Sequence, residues 1–205
     1  MVDGEDTERH HGVVADRPYA ACSAHRKPLL HKESHATSGS DEPPAPGLLA
    51  AITALRTAAE NADGDALAEI LASDVVFHTP LTSRIRFEGR DEVTALHRDI
   101  FAVIEGLSTT EPMTRGDTGV FTFSGHVRAQ KLDAMNLVRV NEQGEIVDVT
   151  IFARPLPALA TLFATLPPRV TARRRGRAKG ALVAALAGPL GFALRSADVF
   201  VPRLI

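Results

Sequence analysis

Hydrophobic residues recur every three or four positions in three separate stretches of the chain. This spacing predicts helices over residues 48–59, 65–72 and 91–105, each with one apolar stripe that faces a core. Two shorter stretches, 75–79 and 84–88, carry apolar or alternating side chains and are predicted strands. The first part of the regular chain is therefore predicted to run helix, helix, strand, strand, helix.

The periodicity changes to two after residue 108. Alternating side chains predict strands over residues 109–115, 119–129, 134–140 and 146–153, with glycine-containing turns between several of them. Helices followed by a series of antiparallel strands are typical of an α+β fold. We expect a curved, largely antiparallel sheet packed by three helices on one face, with a cone-shaped space between the two layers.

Composition divides the chain into three segments. Residues 1–46 are rich in Pro, His and charged residues and show no apolar periodicity, so we expect them to be disordered. Residues 47–154 hold the predicted α+β domain, and residues 155–205 form a C-terminal helical extension. The five His of the first segment are irregularly spaced, which favours a solvated tail over a metal-binding one.

The formal net charge of -2 hides an uneven distribution. Residues 1–46 have 5 basic against 8 acidic residues and residues 47–168 have 10 against 16, whereas residues 169–205 have 8 against 1. These opposite charges favour packing of the extension on the domain or on a second copy of it. The basic cluster has no interleaved aromatic residues, so we expect no nucleic-acid partner.

The extension combines helix breakers, cations and apolar residues. A short helix after Pro155 is predicted to end at Pro167-Pro168, and the Arg-rich run 173–177 follows. Residues 180–194 are apolar but contain Gly and Pro, so they are too short and too broken for an ordinary transmembrane helix. Besides packing on the domain, residues 169–205 are candidates for a weak contact with an anionic membrane surface.

Residue counts exclude several kinds of chemistry. Cys22 is the single Cys, so an intrachain disulfide and a CxxC metal or redox motif are both ruled out. Tyr19 is the single Tyr and lies in the first segment, so no tyrosine serves inside the domain. The acidic, polar start of the chain lacks the pattern of a secretory signal, and a cytoplasmic location is expected.

Three short motifs follow one another within the domain. They are the run Leu71-Ala72-Ser73-Asp74 that leads through a strand to Pro80, the turn Gly89-Arg90 before the third helix, and the hairpin Asn141-Glu142-Gln143-Gly144-Glu145-Ile146. In this order they resemble the nuclear transport factor 2-like superfamily and, within it, the SnoaL-like branch. The resemblance covers residues 47–154 and implies a curved α+β cone with an internal pocket, in a group where homodimers are common.

The resemblance also allows the known chemistries of the superfamily to be tested position by position. A ketosteroid isomerase needs a carboxylate base, a Tyr and a protonated acid, and these positions fall here on Thr79, Leu55 and Asn136. Two of the three groups are missing, so we do not expect that reaction. An epoxide hydrolase needs an Asp on the last strand where this chain has Ile151, and Asp148 faces the opposite side of the sheet.

Several acid/base candidates remain in the sheet. The candidate catalytic residues are the titratable side chains that the strands could present to a pocket: His78, His126 and Asp148. His126 shares a strand face with Thr122 and Ser124. If that face lines the pocket, these three side chains form a polar cluster with Asn136, and if it faces solvent or a partner they are ordinary surface residues.

The predicted pocket is mainly aromatic. Its expected ligand-binding residues are those that the helices and strands turn towards the cone: Phe77, Thr79, Phe87, His97, Phe101, Phe121, Phe123 and Asn136. Such a lining suits a small apolar or polyketide-like molecule, and we expect no metal site and no cofactor. Binding of such a molecule is the first hypothesis; the alternatives are an isomerase, cyclase or hydrolase, and an interaction protein that acts through its extension.

Overall fold

The computed structural model describes residues 43–200. Residues 1–46, for which we predicted disorder and five solvated His, therefore lie almost entirely outside the described residues. The helices are α1 (Leu48–Glu60), α2 (Gly64–Ile70), α3 (Arg90–Phe101), α4 (Leu156–Arg175) and α5 (Arg177–Phe200). The strands are β1 (Leu71–His78), β2 (Arg86–Glu88), β3 (Glu105–Thr109), β4 (Met113–Arg115), β5 (Thr118–Val127), β6 (Gln130–Val140) and β7 (Ile146–Arg154). The described residues therefore have the predicted α+β order.

The strands form one curved, unclosed sheet. Their order is β2-β1-β7-β6-β5-β3, and β4 pairs with β5 beside this path. The β1–β7 pair is parallel and the other pairs are antiparallel. The pairing register shifts within the β1–β7, β3–β5 and β6–β7 pairs, and such irregularities bend strands and increase their twist. The expected curved, largely antiparallel sheet is confirmed.

Helices α1 and α3 cover the inner face of the sheet, and α2 lies against both of them. The inner face carries the largest fully buried side chains of the strands, including Phe77 of β1 and Phe121 of β5. Helix α1 comes so close to β5 at Gly119 that an added Cβ would collide with the Ile52 side chain. Glycine at position 119 therefore allows α1 to pack this closely against β5.

Helix α4 does not end at Pro167-Pro168, so the predicted break is wrong. The helix continues through both prolines to Arg175. An interior proline lacks the N–H that bonds to the previous turn, at a cost of about 3 kcal/mol. Leu166 before the pair and Val170 after it are both buried in the same core as the sheet. Packing on both sides of the prolines therefore holds α4 in one piece.

Ion pairs fasten α4 to α3 as well. Nε of Arg173 donates to Oδ2 of Asp99 at 2.8 Å, and the other nitrogens of the same guanidinium donate to Glu92 at 3.2 and 3.0 Å. Nε of Arg174 donates to Glu92 at 2.9 Å. Burial raises the pKa of Glu92, but the hydrogen bonds from both arginines outweigh it and hold that pKa below its usual value. Part of the basic run thus neutralises carboxylates of the acidic domain.

Some element boundaries differ from the predictions. The predicted strand 109–115 is divided into β3 and β4, because Pro112 lies between them and has no N–H for a ladder. Helix α3 ends at Phe101 instead of residue 105, and Ile104 turns inward to pack against Gly125. Strand β6 begins at Gln130 instead of residue 134, so Asp133 lies within it.

Candidate functional site

An interior cavity lies between α1, α3 and the inner face of the sheet. Its volume is about 40 Å³. The lining consists of side chains from six elements that converge inside the cone: Leu55, Ala59, His97, Ile100, Phe101, Leu107, Thr109, Phe121, Phe123, Asn136, Val149 and Ile151. Apart from His97, Thr109 and Asn136, this wall is apolar.

His97 is a neutral imidazole in the cavity wall. Its Nδ1 donates to the Val93 carbonyl oxygen at 2.8 Å, one helical turn earlier. Burial lowers the pKa of His97 from 6.5 to about 4, against the opposing effect of that backbone hydrogen bond. The Phe77 and Phe101 rings meet the imidazole edge-on at 5.1 and 5.9 Å between centroids. With Nδ1 occupied, Nε2 carries a lone pair that can accept a hydrogen bond from a ligand.

Asn136 enters the same cavity from the opposite wall. It lies on β6 opposite Phe121 of β5 and Ile151 of β7, so all three share the inner face of the sheet. The residue is 8% exposed, and its amide makes no side-chain hydrogen bond to another residue between positions 43 and 200. An amide that both donates and accepts thus faces the cavity together with the His97 ring.

A polar clamp at the cavity rim joins α1 to β3. Oγ1 of Thr109 donates to Oε1 of Glu60 at 2.6 Å and accepts from Nε of Arg56 at 3.0 Å. Arg56 also pairs with Glu111 at 3.0 Å. The hydrogen bonds from the Thr109 hydroxyl and N–H hold the pKa of Glu60 below its usual value. This clamp holds the two elements that flank the cavity mouth.

The three candidate catalytic residues lie on the outer face of the sheet. Val76 pairs with Asp148 and His78 with Thr150, on the opposite face from Phe77 and Val149. Nε2 of His78 lies 3.0 Å from Oδ2 of Asp148, so these two candidates form one pair there. The structure does not bring this pair to the interior cavity.

His126 is exposed and does not join the cavity either. It pairs with Lys131, which is exposed as well. Thr122 shares its strand face, whereas Asn136 sits opposite Phe121 on the inner face. The predicted polar cluster of His126, Thr122 and Ser124 with Asn136 is therefore not formed. The first three residues lie on the outer surface of the sheet, as the second alternative predicts.

The eight predicted ligand-binding residues lie in three different places. His97, Phe101, Phe121, Phe123 and Asn136 line the interior cavity. Phe77 is buried behind His97, and the two others, Thr79 and Phe87, line a separate groove against α4.

That groove, of about 330 Å³, lies between the β1–β2 connection and the α4–α5 pair. Its apolar wall includes Phe163, Leu166 and Val183, and the Arg174 guanidinium lies 4.6 Å above the Phe87 ring. The sequence pattern does not indicate this groove, because the groove depends on α4 continuing past its prolines. Between positions 43 and 200, no group of three or more His, Cys, Asp or Glu side chains is placed to hold a metal ion.

Comparisons with known proteins agree with the fold. A steroid delta-isomerase from Pseudomonas aeruginosa is similar in structure, with 21% sequence identity and a TM-score of 0.59, over 65% of this chain and 98% of that one. An uncharacterized protein with a cystatin-like fold from Silicibacter pomeroyi DSS-3 has 24% identity and a TM-score of 0.59, over 63% of this chain and 92% of its own. At these identities the likeness shows the fold alone.

A comparison with curated proteins finds no match. Residues 52–149 match the family model described as a SnoaL-like domain, which spans the region from α1 to β7. The element order, the curved sheet and this match agree with one another. Residues 52–149 therefore form a SnoaL-like domain with the nuclear transport factor 2-like fold.

Proposed function

We propose that the SnoaL-like domain binds a small, mainly apolar molecule that carries one hydrogen-bonding group. The observation that supports this proposal is the pair of polar groups, His97 and Asn136, on opposite walls of an otherwise apolar cavity. Ligand sites in proteins combine an apolar lining with a few fixed polar groups in this way. The Nε2 atom of His97 accepts a hydrogen bond, and the Asn136 amide both donates and accepts.

The ligand has to enlarge the cavity when it enters. A volume of about 40 Å³ holds little more than a water molecule, whereas occupied ligand pockets span about 300–1,000 Å³. Phe101 and Phe123 line the cavity and are only half-buried, so their rings have space to turn outward. Rotation of these two rings, with release of the Thr109 clamp, opens the cone to a molecule of one or two rings.

Catalysis by an isomerase, cyclase or hydrolase is the alternative function. The position of the isomerase base is Thr79, whose hydroxyl accepts from the Leu81 N–H at 3.2 Å outside the cavity. His97 has a pKa lowered to about 4, which makes it a weak base at neutral pH. With Thr79 outside the cavity and His97 a weak base, these two groups favour binding over proton transfer.

The test uses 2-naphthol, a fluorescent two-ring molecule with a single hydroxyl, and naphthalene, which lacks it. The chain contains no Trp, so the emission of the probe is free of indole fluorescence. We expect 2-naphthol to bind about fivefold to tenfold more tightly than naphthalene, because one hydrogen bond contributes about 1 kcal/mol. The Asn136→Leu variant should reduce this preference.

The matched control is a variant with a larger side chain in the groove, outside the cavity. Val183→Phe should leave 2-naphthol binding unchanged, since Val183 lines the groove alone. Binding that survives Asn136→Leu but is lost in Val183→Phe would contradict the proposal and assign the ligand to the groove. Conversion of a Δ5-3-ketosteroid, followed by the ultraviolet absorbance of the conjugated product, would favour the alternative function.

We also propose that the chain forms a homodimer and works in the cytoplasm. Phe152 is 52% exposed on the outer face of the sheet, next to the half-buried Met135 and Leu137, which supports a contact between two sheets. The cytoplasmic location is supported by a domain family that is typically soluble. Sedimentation of the wild type and of Phe152→Asp tests the dimer, which should dissociate in the variant.

A further inference from the structure

The side of α5 that faces away from α4 is apolar along about four turns. Residues 180–194 consist entirely of Gly, Ala, Val, Leu, Pro and Phe. The large side chains on this outer side are exposed: Leu182 by 61%, Leu186 by 69% and Leu190 by 50%. Such a surface is unusual for a helix in water, because exposed helix faces normally carry polar residues.

The opposite side of α5 is fixed against α4 by small residues. An added Cβ at Gly180 would lie 2.7 Å from the Ala172 Cβ, and one at Gly191 would lie 2.8 Å from the Ala160 carbonyl oxygen. Ala187, between these two glycines, is buried in the same contact. The close packing sets the rotation of α5, so its outer leucines cannot turn inward to be covered by α4.

The basic run at the corner between the two helices serves two different purposes. Arg173 and Arg174 are bound to carboxylates of α3, as described above. Arg175, Arg177 and Lys179 are exposed and make no ion pair with any residue in the part of the chain that the structure describes. Three cations that pair with no carboxylate of residues 43–200 therefore stand at the start of the apolar surface.

We propose that α5 lies in the plane of an anionic lipid bilayer, with its leucines among the acyl chains and the corner cations at the phosphates. An apolar helix face with cations beside it is the pattern of interfacial membrane helices. Each Lys or Arg near an anionic surface adds about 1 kcal/mol of attraction. The acidic domain remains in water, because an anionic surface repels it.

The geometry favours an in-plane helix over a crossing one. By length and composition α5 is able to cross a membrane over Arg177–Asp198. Its uncharged run 180–194 is about 22 Å long, shorter than the roughly 30 Å of a hydrocarbon core. Crossing would also detach α5 from α4 at both glycines, whereas lying flat leaves that contact intact.

Charge favours a bilayer over a second copy of the chain as the partner that covers the outer side of α5. Asp198 is the single acidic residue of α5. A symmetric contact between two α5 helices would offer one carboxylate per copy to three cations, while a bilayer offers as many phosphates as the cations need. Protein interfaces also surround an apolar centre with a polar rim, and residues 180–194 have no polar side chain.

The experiment measures flotation of the full chain with phosphatidylcholine vesicles, with and without phosphatidylglycerol. We expect binding to the mixed vesicles, weaker binding to pure phosphatidylcholine, and loss of binding at high salt because exposed charges are screened. Replacing Arg175, Arg177 or Lys179 by Gln should lower the partition coefficient about fivefold for each cation removed. The Leu182→Gln/Leu186→Gln double variant should lower it at least about tenfold.

Matched surface variants serve as controls. Met113 is 73% exposed on β4, so Met113→Gln removes an equally exposed apolar side chain, and Arg139→Gln removes an exposed cation from β6. Neither should change vesicle binding. Circular dichroism of every variant verifies that the fold is retained.

Three outcomes would overturn the proposal. No flotation with the mixed vesicles excludes a bilayer as the occupant. A dimer that dissociates in Leu186→Glu and does not bind vesicles assigns the outer side of α5 to a second copy. Retention in the membrane fraction after carbonate extraction indicates a crossing helix.

Discussion

Nε2 of His78 lies 3.0 Å from Oδ2 of Asp148, and both side chains stand on the face of the sheet that is turned away from the cavity. His78→Ala is therefore expected to leave 2-naphthol binding unchanged. The pair is partly exposed, so its loss should lower the free energy of unfolding by at most about 1 kcal/mol. Titration by probe fluorescence and urea denaturation measure the two effects, and a tenfold weaker affinity would contradict this assignment.

The anchoring of α4 predicts a larger effect on stability. Arg173→Ala leaves the carboxylate of Asp99, a residue that is 8% exposed, with Arg169 at 3.7 Å as its one remaining cationic partner among residues 43–200. We expect the free energy of unfolding to fall by about 2–3 kcal/mol, because breaking a largely buried pair strands a charge. Urea denaturation gives the value.

Arg175→Ala is the matched control for this variant. Arg175 is two residues further along α4, exposed, and without an ion pair among residues 43–200. Its replacement should change the free energy of unfolding by less than about 0.5 kcal/mol. Equal losses in the two variants would show that the Asp99 contact does not anchor α4.

The close approach of α1 to β5 predicts that Gly119→Ala is destabilising. The new methyl group would meet the Ile52 side chain, and overpacking of this kind costs about 1–3 kcal/mol. A double-mutant cycle with Ile52→Ala tests the cause, since the shortened side chain should accommodate the methyl group and make the two changes less than additive.

Gly188→Ala tests the same kind of substitution where neighbouring elements leave space. Gly188 lies inside α5, and an added Cβ would meet no atom within 4 Å apart from its chain neighbours and its own helix. Alanine is the better helix former by about 0.5–1 kcal/mol, but its Cβ would also face the Cδ of Pro189, which disfavours a helical residue before a proline. The two effects oppose each other, so the free energy of unfolding should change by less than about 1 kcal/mol. A larger loss of stability at Gly188 would mean that the space beside α5 is occupied in solution.

Much of this architecture could be predicted from the sequence, because alternation and helical spacing report which side of an element is buried. Five of the eight expected ligand-binding residues line one cavity, among them Phe121 and Asn136. For Asn136, the local sequence pattern does not determine which side chains are its neighbours. Its polar side chain suggests a place beside the polar residues of β5, and only the pairing register reveals that it stands opposite Phe121.

The extension shows a second limit. Pro167-Pro168 is a strong local signal for a helix end, yet α4 passes through it because the burial of Leu166 and Val170 outweighs the lost hydrogen bonds. Tertiary packing of this kind leaves no mark in a short sequence window. The groove beside Phe87 was missed for the same reason, since half of its wall belongs to α4.

The buried imidazole of His97 predicts a pH dependence of stability. Its pKa is lowered from 6.5 to about 4 in the folded chain, mainly by burial. Between these values the unfolded chain binds a proton that the folded chain does not, so stability is complete above about pH 6.5 and falls as the pH decreases towards 4. The loss attributable to this group amounts to about 3 kcal/mol, at about 1.36 kcal/mol for each unit of pKa difference.

His97→Gln isolates this contribution from that of the carboxylates. The variant retains a polar side chain that does not titrate, so the difference in free energy of unfolding between wild type and variant should shrink as the pH is lowered from 7.5 to 5. Urea denaturation at both pH values measures it. A difference that stays constant over this interval would mean that water reaches the imidazole in the folded chain, and the cavity would then be open to solvent before any ligand enters.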